Sequence, residues 1–209
     1  GLLRVSDPVC LVDIGGGSTE ISVSTRRHVE MMESTDMGCV LLTDAVPGDE
    51  AGRVTKKGLR EMRDLVRSRT RYATTLAVKA KFKRVFASSG TAQALVNLAA
   101  MARFAEPGAV IETSDGREAK LSALVGVVTK LAAMTVEERS ALPGMSPARA
   151  QVVLAGGVIL VTVLEALGVD TVTATVKNLQ DGQLVDYLER SGLGAVSNEN
   201  TRRRKSVRR

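Results

Sequence analysis

The chain has 209 residues, 44% of them hydrophobic, enough to close one sizeable core or two small ones. With no Trp, two Tyr and three Phe, that core is built from aliphatic residues and Met, and aromatics are too scarce to favour a base-stacking nucleic-acid module. The formal net charge of +6 is the charge of residues 201–209, which hold six Lys and Arg and no acid, leaving 23 basic and 23 acidic residues elsewhere.

The body is therefore expected to be neutral, and residues 196–209 to form a basic disordered tail, either solvated or an accessory grip on a polyanion. Cys10 and Cys39 have neither metal-ligand spacing nor a secretory signal ahead of them, which points to reduced thiols in a cytoplasmic protein. The apolar run from Val152 to Leu164 is shorter than the ~20 residues of a membrane span and is bracketed by Gln151 and Glu165. It reads as a buried helix, so no membrane partner is expected. Because the chain opens on Gly1 and reaches a motif within a dozen residues, it is expected to be part of a longer polypeptide.

In chain order, Val9–Val12 is a buried strand ending in Asp13. A glycine turn comes next, and then a strand over 20–24 in which apolar and polar residues alternate. Arg26-Arg27-His28 reads as a polar turn into a third strand at 29–33, completing a β-meander with the glycines at its first bend. His28 reads as a solvated histidine. Leu59, Met62, Leu65 and Val66 mark an amphipathic helix from Thr55 to about Thr75. A strand over 83–88 delivers Ser89-Gly90-Thr91 to the start of a helix over 92–104, whose N-terminal N–H groups make a natural anion site. A further amphipathic helix spans about 121–131, then a short helix is opened by the capping-box pattern at Thr135. The apolar helix opened by Pro147 carries Gly156-Gly157, read as a close-packing pair or as an approach to a nucleotide. A last strand over 169–176 and a helix over 179–190 precede the tail.

The chemistry concentrates in Asp13-Ile14-Gly15-Gly16-Gly17-Ser18-Thr19-Glu20. Successive glycines let backbone N–H groups approach a phosphate oxygen, and Ser18 and Thr19 add hydroxyls. Asp13 and Glu20 flank the turn with two carboxylates, able to hold Mg²⁺ against substrate phosphates or to polarise an attacking water. A glycine-rich hairpin with merely solvated carboxylates is the bland alternative.

This segment resembles the second phosphate motif of the Ppx/GppA phosphatases (exopolyphosphatases and guanosine pentaphosphate phosphatases), members of the actin-like ATPase superfamily. Met37 to Thr43 resembles that family's Gly-X-Val-Arg-Leu-Thr segment, Ser88-Ser89-Gly90-Thr91 its Ser-Gly-Thr turn, and Leu142 to Gly157 its Pro-Gly…Arg-Ala-Asp…Ala-Gly segment. The resemblance implies an α/β fold of the actin-like, ribonuclease H-like type, a mixed sheet flanked by helices, with 1–195 as the second actin-like domain. It also implies Mg²⁺-dependent hydrolysis of terminal phosphates from polyphosphate or guanosine pentaphosphate. Asp13 and Glu20 would act at the metal and the attacking water, and Gly15, Gly16, Gly17, Ser18, Thr19, Gly90 and Thr91 would hold phosphates. A complementary N-terminal domain with the first phosphate motif would be the partner, and a second copy of the chain another; no specific nucleic acid is implied.

The sequence departs from the family at three places. Leu41 stands for an expected arginine, Gln151 for an aspartate, and Thr175-Val176-Lys177-Asn178 for Ser-Glu-X-Asp. Two other readings stay open: a non-catalytic polyphosphate- or nucleotide-binding module, and half of an actin-like kinase or ATPase.

Overall fold

The structure, a computed structural model, describes residues 7–25, 28–101 and 115–177. The chain divides into two units, Gly1–Val176 and Lys177–Arg209, and every described strand and helix belongs to the first. The helix expected over 179–190, the tail and the boundary expected at 195 lie outside the described residues.

The expected meander is present as β1 (Val9–Ile14), β2 (Thr19–Ser24) and β3 (Val29–Thr35), consecutive antiparallel neighbours. Alternation explains the pairing. Cys10, Val12 and Ile14 on β1 and Ile21 and Val23 on β2 fall on one sheet face and are buried, while Asp13 and Glu20 fall on the other. Helix α1 (Cys39–Ala45) comes next, then α2 (Lys56–Ala80), capped by Thr55 Oγ1, which accepts from Gly58 N–H at 3.1 Å. Met62, Val66, Thr70, Ala73 and Ala77 form the buried stripe of α2, which outruns the expected end at Thr75 by five residues.

β4 (Arg84–Ser88) leads directly into α3 (Gly90–Ala100), which begins two residues before the expected start. A short β5 (Glu118–Lys120) precedes α4 (Leu121–Ala133), and α5 (Val136–Ser140) opens with the expected capping box between Thr135 and Glu138. α6 (Pro147–Leu167) is apolar all round because it is buried all round. It packs on α1 to α5 and on β1, and it ends at Gly168 in the left-handed conformation. By length and composition α6 alone among the described helices could cross a membrane, but here most of it is buried inside the fold. β6 (Thr171–Ala174) completes a mixed sheet of order β3-β2-β1-β4-β6-β5, in which β1, β4 and β6 run parallel.

Candidate anion site at the ends of strands 1 and 4

The carboxyl ends of β1 and β4 lie side by side, and each leads into a turn. In open α/β sheets such crevices are where ligands bind. On the β1 side, the Gly15 N–H donates to the Ser18 carbonyl at 2.8 Å, closing the turn. The Gly15 carbonyl accepts from Cys39 N–H at 3.0 Å and the Gly16 carbonyl from Val40 N–H at 2.9 Å. The turn is thus docked onto the N-terminus of α1, whose orphan donors it satisfies. Peptide groups are planar and trans, so a carbonyl pointed at α1 turns the next N–H away from it. Gly16 N–H and Gly17 N–H therefore both face away from α1, and neither makes a hydrogen bond among the described residues. Two adjacent outward N–H groups form an anion-binding concavity.

The glycines have separate reasons. A Cβ at Gly38 would fall inside the Gly16 carbonyl, so Gly38 lets α1 approach the turn at all. A Cβ at Gly17 would meet nothing within 4 Å, and its φ is not positive. Neither packing nor backbone conformation requires a glycine there, and the space a side chain would take is open.

Register assembles the side chains. Glu20 pairs with Asp13 across β1–β2, Ser34 with Glu20 across β2–β3, and Ser88 with Asp13 across β1–β4, giving one row, Ser34-Glu20-Asp13-Ser88, on one sheet face. Ser18 Oγ and Ser34 Oγ donate to Glu20 Oε1 at 2.6 and 2.7 Å, fixing the carboxylate and leaving Oε2 as its uncommitted oxygen among the described residues. Ser88 is 1% exposed, and its Oγ has no partner there. A buried hydroxyl without a partner costs about 1–3 kcal/mol.

On the β4 side, Ser89 adopts φ 102°, ψ 158°, a region used almost only by glycine, while its Oγ caps α3 by accepting from Ala92 N–H at 3.1 Å. The first N–H groups of α3, at Gly90 and Thr91, are the orphan donors of a helix start. Arg149 lies over Gly90, where a Cβ would come within 2.7 Å of its Nη2, and donates from Nη1 to the Gly144 carbonyl at 2.9 Å. It forms no ion pair among the described residues.

Several expectations change. Thr19 is fully buried on the core face and its hydroxyl donates to the Met37 carbonyl at 2.6 Å, so it secures the α1 approach and does not reach a phosphate. The Ser18 hydroxyl is spent on Glu20, and the Gly15 N–H on the turn itself. Thr91 turns its methyl onto Gly156, whose missing Cβ allows α6 that close, in keeping with the close-packing reading of the glycine pair. His28 is exposed, 3.9 Å from Glu30, as a solvated histidine should be. Leu41, where arginine was expected, is an exposed side chain on the first turn of α1. Sequence reading missed Gly38, Ser34 and Ser88. The two serines join the carboxylates only through strand register, although their strands were themselves legible.

Known proteins similar to this chain give its family and its fold. The model of the Ppx/GppA phosphatase family matches residues 3–191. Exopolyphosphatase 2 of Mycobacterium tuberculosis is 34% identical over 182 residues, 84% of this chain and 54% of that protein. Exopolyphosphatase 1 of Mycobacterium leprae is 29% identical over 191 residues, 88% of this chain and 53% of that protein. The chain thus spans about half the length of the curated relatives it matches. The crystal structure of the Aquifex aeolicus Ppx/GppA family member superposes with a TM-score of 0.73 at 23% identity, over 90% of this chain and 58% of that one. Its actin-like fold is the fold seen here. The chain belongs to the Ppx/GppA phosphatase family.

Proposed function

We propose that this chain supplies the phosphate-gripping half of a phosphoanhydride hydrolase that removes terminal phosphates from inorganic polyphosphate or guanosine pentaphosphate. The observation that carries the reading is the crevice itself, in which two outward N–H groups at Gly16 and Gly17 stand beside a carboxylate held by two serines. Family membership supports it.

Mg²⁺ fits as a substrate-borne ion. Among the described residues no cluster of three or more His, Cys, Asp or Glu forms a closed metal cage, whereas Asp13 and Glu20 form a two-carboxylate half-site. Mg²⁺ is usually held this way, by one or two carboxylates together with substrate phosphates and water. When bound it would neutralise phosphate oxygens and draw charge from the leaving group. Ser88 Oγ, on the same row as Asp13, would find its missing partner in the hydration of that site.

The protein groups then have defined tasks. Gly16 and Gly17 N–H and the α3 N-terminus hold the terminal phosphoryl group in line. Glu20 Oε2 accepts a proton from a water whose oxygen attacks phosphorus. The new P–O bond forms as the anhydride P–O bond breaks, and the shortened chain leaves as a phosphate anion. Arg149 lies where it can neutralise charge beside Gly90. A complementary domain carrying the first phosphate motif closes over this face in the active form.

A non-catalytic binding module is favoured by one observation, the apolar Leu41 beside the turn in place of a cation; a lost donor of this kind costs ~10²–10³ in rate. Phosphate release from long-chain polyphosphate with Mg²⁺ separates the two. It should be measured for the chain and its Glu20→Gln variant, each alone and joined to an upstream family domain. Release that disappears in Glu20→Gln supports hydrolysis. Binding with no release in any form leaves the binding module.

A further inference from the structure

At the margin of the sheet the meander and α2 enclose a second hollow. β3 is an edge strand, and Glu33, Ser34 and Asp36, at and just beyond its end, line a concavity of about 200 Å³ together with Arg69, Tyr72 and Ala73 of α2. Tyr72 and Ala73 lie three and four residues beyond Arg69, so all three share one helix face. The side chains of Glu33, Asp36, Arg69 and Tyr72 make no hydrogen bond or ion pair among the described residues. Two carboxylates, a guanidinium and an aromatic ring that is 67% exposed therefore gather where the fold uses none of them. Their mixture narrows the ligand. Two carboxylates repel a bare phosphate chain, and Arg69 repels a simple cation. What fits is a molecule with donors on one edge, acceptors on another and a flat face between them.

We propose that this hollow is a subsite for a guanine ring, so that the crevice takes its terminal phosphate from a guanosine polyphosphate; this rests on the phosphoanhydride reading of the crevice. Guanine carries N–H donors at N1 and N2 for a carboxylate, O6 and N7 acceptors for the Arg69 fork, and a π-face for Tyr72. Adenine has an amino donor where guanine has O6, so it would turn a donor toward Arg69. The hollow is smaller than the ~300–1,000 Å³ of pockets that engulf a whole drug-sized ligand, so it holds the ring and leaves ribose and phosphates outside. Ser34 joins the two places, since it lines the hollow and its hydroxyl donates to Glu20 Oε1 at 2.7 Å. Asp36 stands two residues, at most about 7 Å of chain, before Gly38, which abuts the Gly16 carbonyl. A nucleotide held by its ring thus has its phosphates within reach of the turn.

The test measures binding of GTP, ATP, tripolyphosphate, guanosine and adenosine to the full chain with Mg²⁺, and to two variants. GTP is expected to bind about tenfold tighter than ATP, and guanosine tighter than adenosine. Glu33→Gln/Asp36→Asn should bring GTP to the level of ATP while tripolyphosphate binds no more weakly than before. Removing two negative charges strengthens the binding of any polyanion through the field alone, so weaker GTP binding marks lost contacts to the ring. Tyr72→Ala should weaken GTP and ATP alike by about threefold or more and leave tripolyphosphate unchanged, because stacking does not distinguish bases. Equal affinity for GTP and ATP, a guanine preference that survives the double variant, or no loss in Tyr72→Ala would each overturn the subsite. Guanosine and tripolyphosphate separate the two places: tripolyphosphate binding without a preference for guanosine overturns the subsite and leaves the crevice. A preference for guanosine without tripolyphosphate binding supports the subsite and counts against the crevice alone.

Discussion

Residues 7–54 hold nine acids against Arg26, Arg27 and Arg53, whereas residues 55–84 hold eleven Lys and Arg against Glu61 and Asp64. A body that is neutral when averaged is therefore built from an acidic meander and a basic helix. The two regions handle charge differently. In the meander the serines at 18 and 34 and the glycines at 16, 17 and 38 set individual atoms to within a hydrogen bond, so binding there depends on short-range geometry. On α2 most of the cations stand in water on long side chains, Arg63 and Arg67 being paired with Glu165, so any binding there depends on a screened field that falls off over about 10 Å. The first region should be brittle to small substitutions and indifferent to moderate salt. The second should tolerate substitution and respond to salt.

Gly38→Ala tests that brittleness with the largest effect. The added Cβ would meet backbone atoms of Gly16 and Gly17, which cannot rotate out of the way. A loss of about 3 kcal/mol is expected, read as a lowered Tm, together with loss of phosphate binding as the turn leaves α1. Gly17→Ala should separate geometry from stability. Its Cβ meets nothing in the protein, so Tm should stay or rise slightly, while affinity for orthophosphate falls about tenfold, or ~1.4 kcal/mol. Equal phosphate affinity in Gly17→Ala would remove the turn from the binding site.

Ser89→Gly ranks next. Glycine relaxes a backbone at φ 102° that costs a serine about 1–3 kcal/mol, and as a helix cap it is worse by only a few tenths. A gain of about 1 kcal/mol in unfolding free energy is expected. No gain would mean that the strand–helix elbow carries no strain.

How legible each feature was depends on where it is encoded. The β1–β2 hairpin, the capping box at Thr135 and the buried character of α6 are local patterns of two, three and about four residues, and all three read correctly. Helix α1 did not. Its seven residues have no acid in the first turn and no side-chain cap, and its first N–H groups are satisfied by carbonyls more than twenty residues away. The row Ser34-Glu20-Asp13-Ser88 was half legible. Asp13 and Glu20 flank one turn, whereas Ser34 and Ser88 arrive by pairing with strands remote in sequence. Nothing in the residue name Ser89 reports its φ. The charge of α2 was in plain view but vanished when counted with the rest of the body.

The smallest expected effect uses the two thiols as reporters of the meander. Burial pushes the Cys10 thiol up to about 12 and raises Cys39, opposed only in part by backbone hydrogen bonds at 39 and 40. A raised thiol pKa means less thiolate at neutral pH, so alkylation should be slow at pH 7. If labelling occurs in the folded state, its rate should climb about tenfold per pH unit well beyond pH 9. If it needs local opening, the exposed thiol has its ordinary pKa of about 8.5, and the rate should level off above that. Cys39 N–H holds the Gly15 carbonyl, so a phosphate seated on the turn should slow Cys39 labelling by about twofold or more through the opening step. Orthophosphate added to the Gly17→Ala variant should leave it nearly unchanged, so that the thiol reports occupancy of the turn itself.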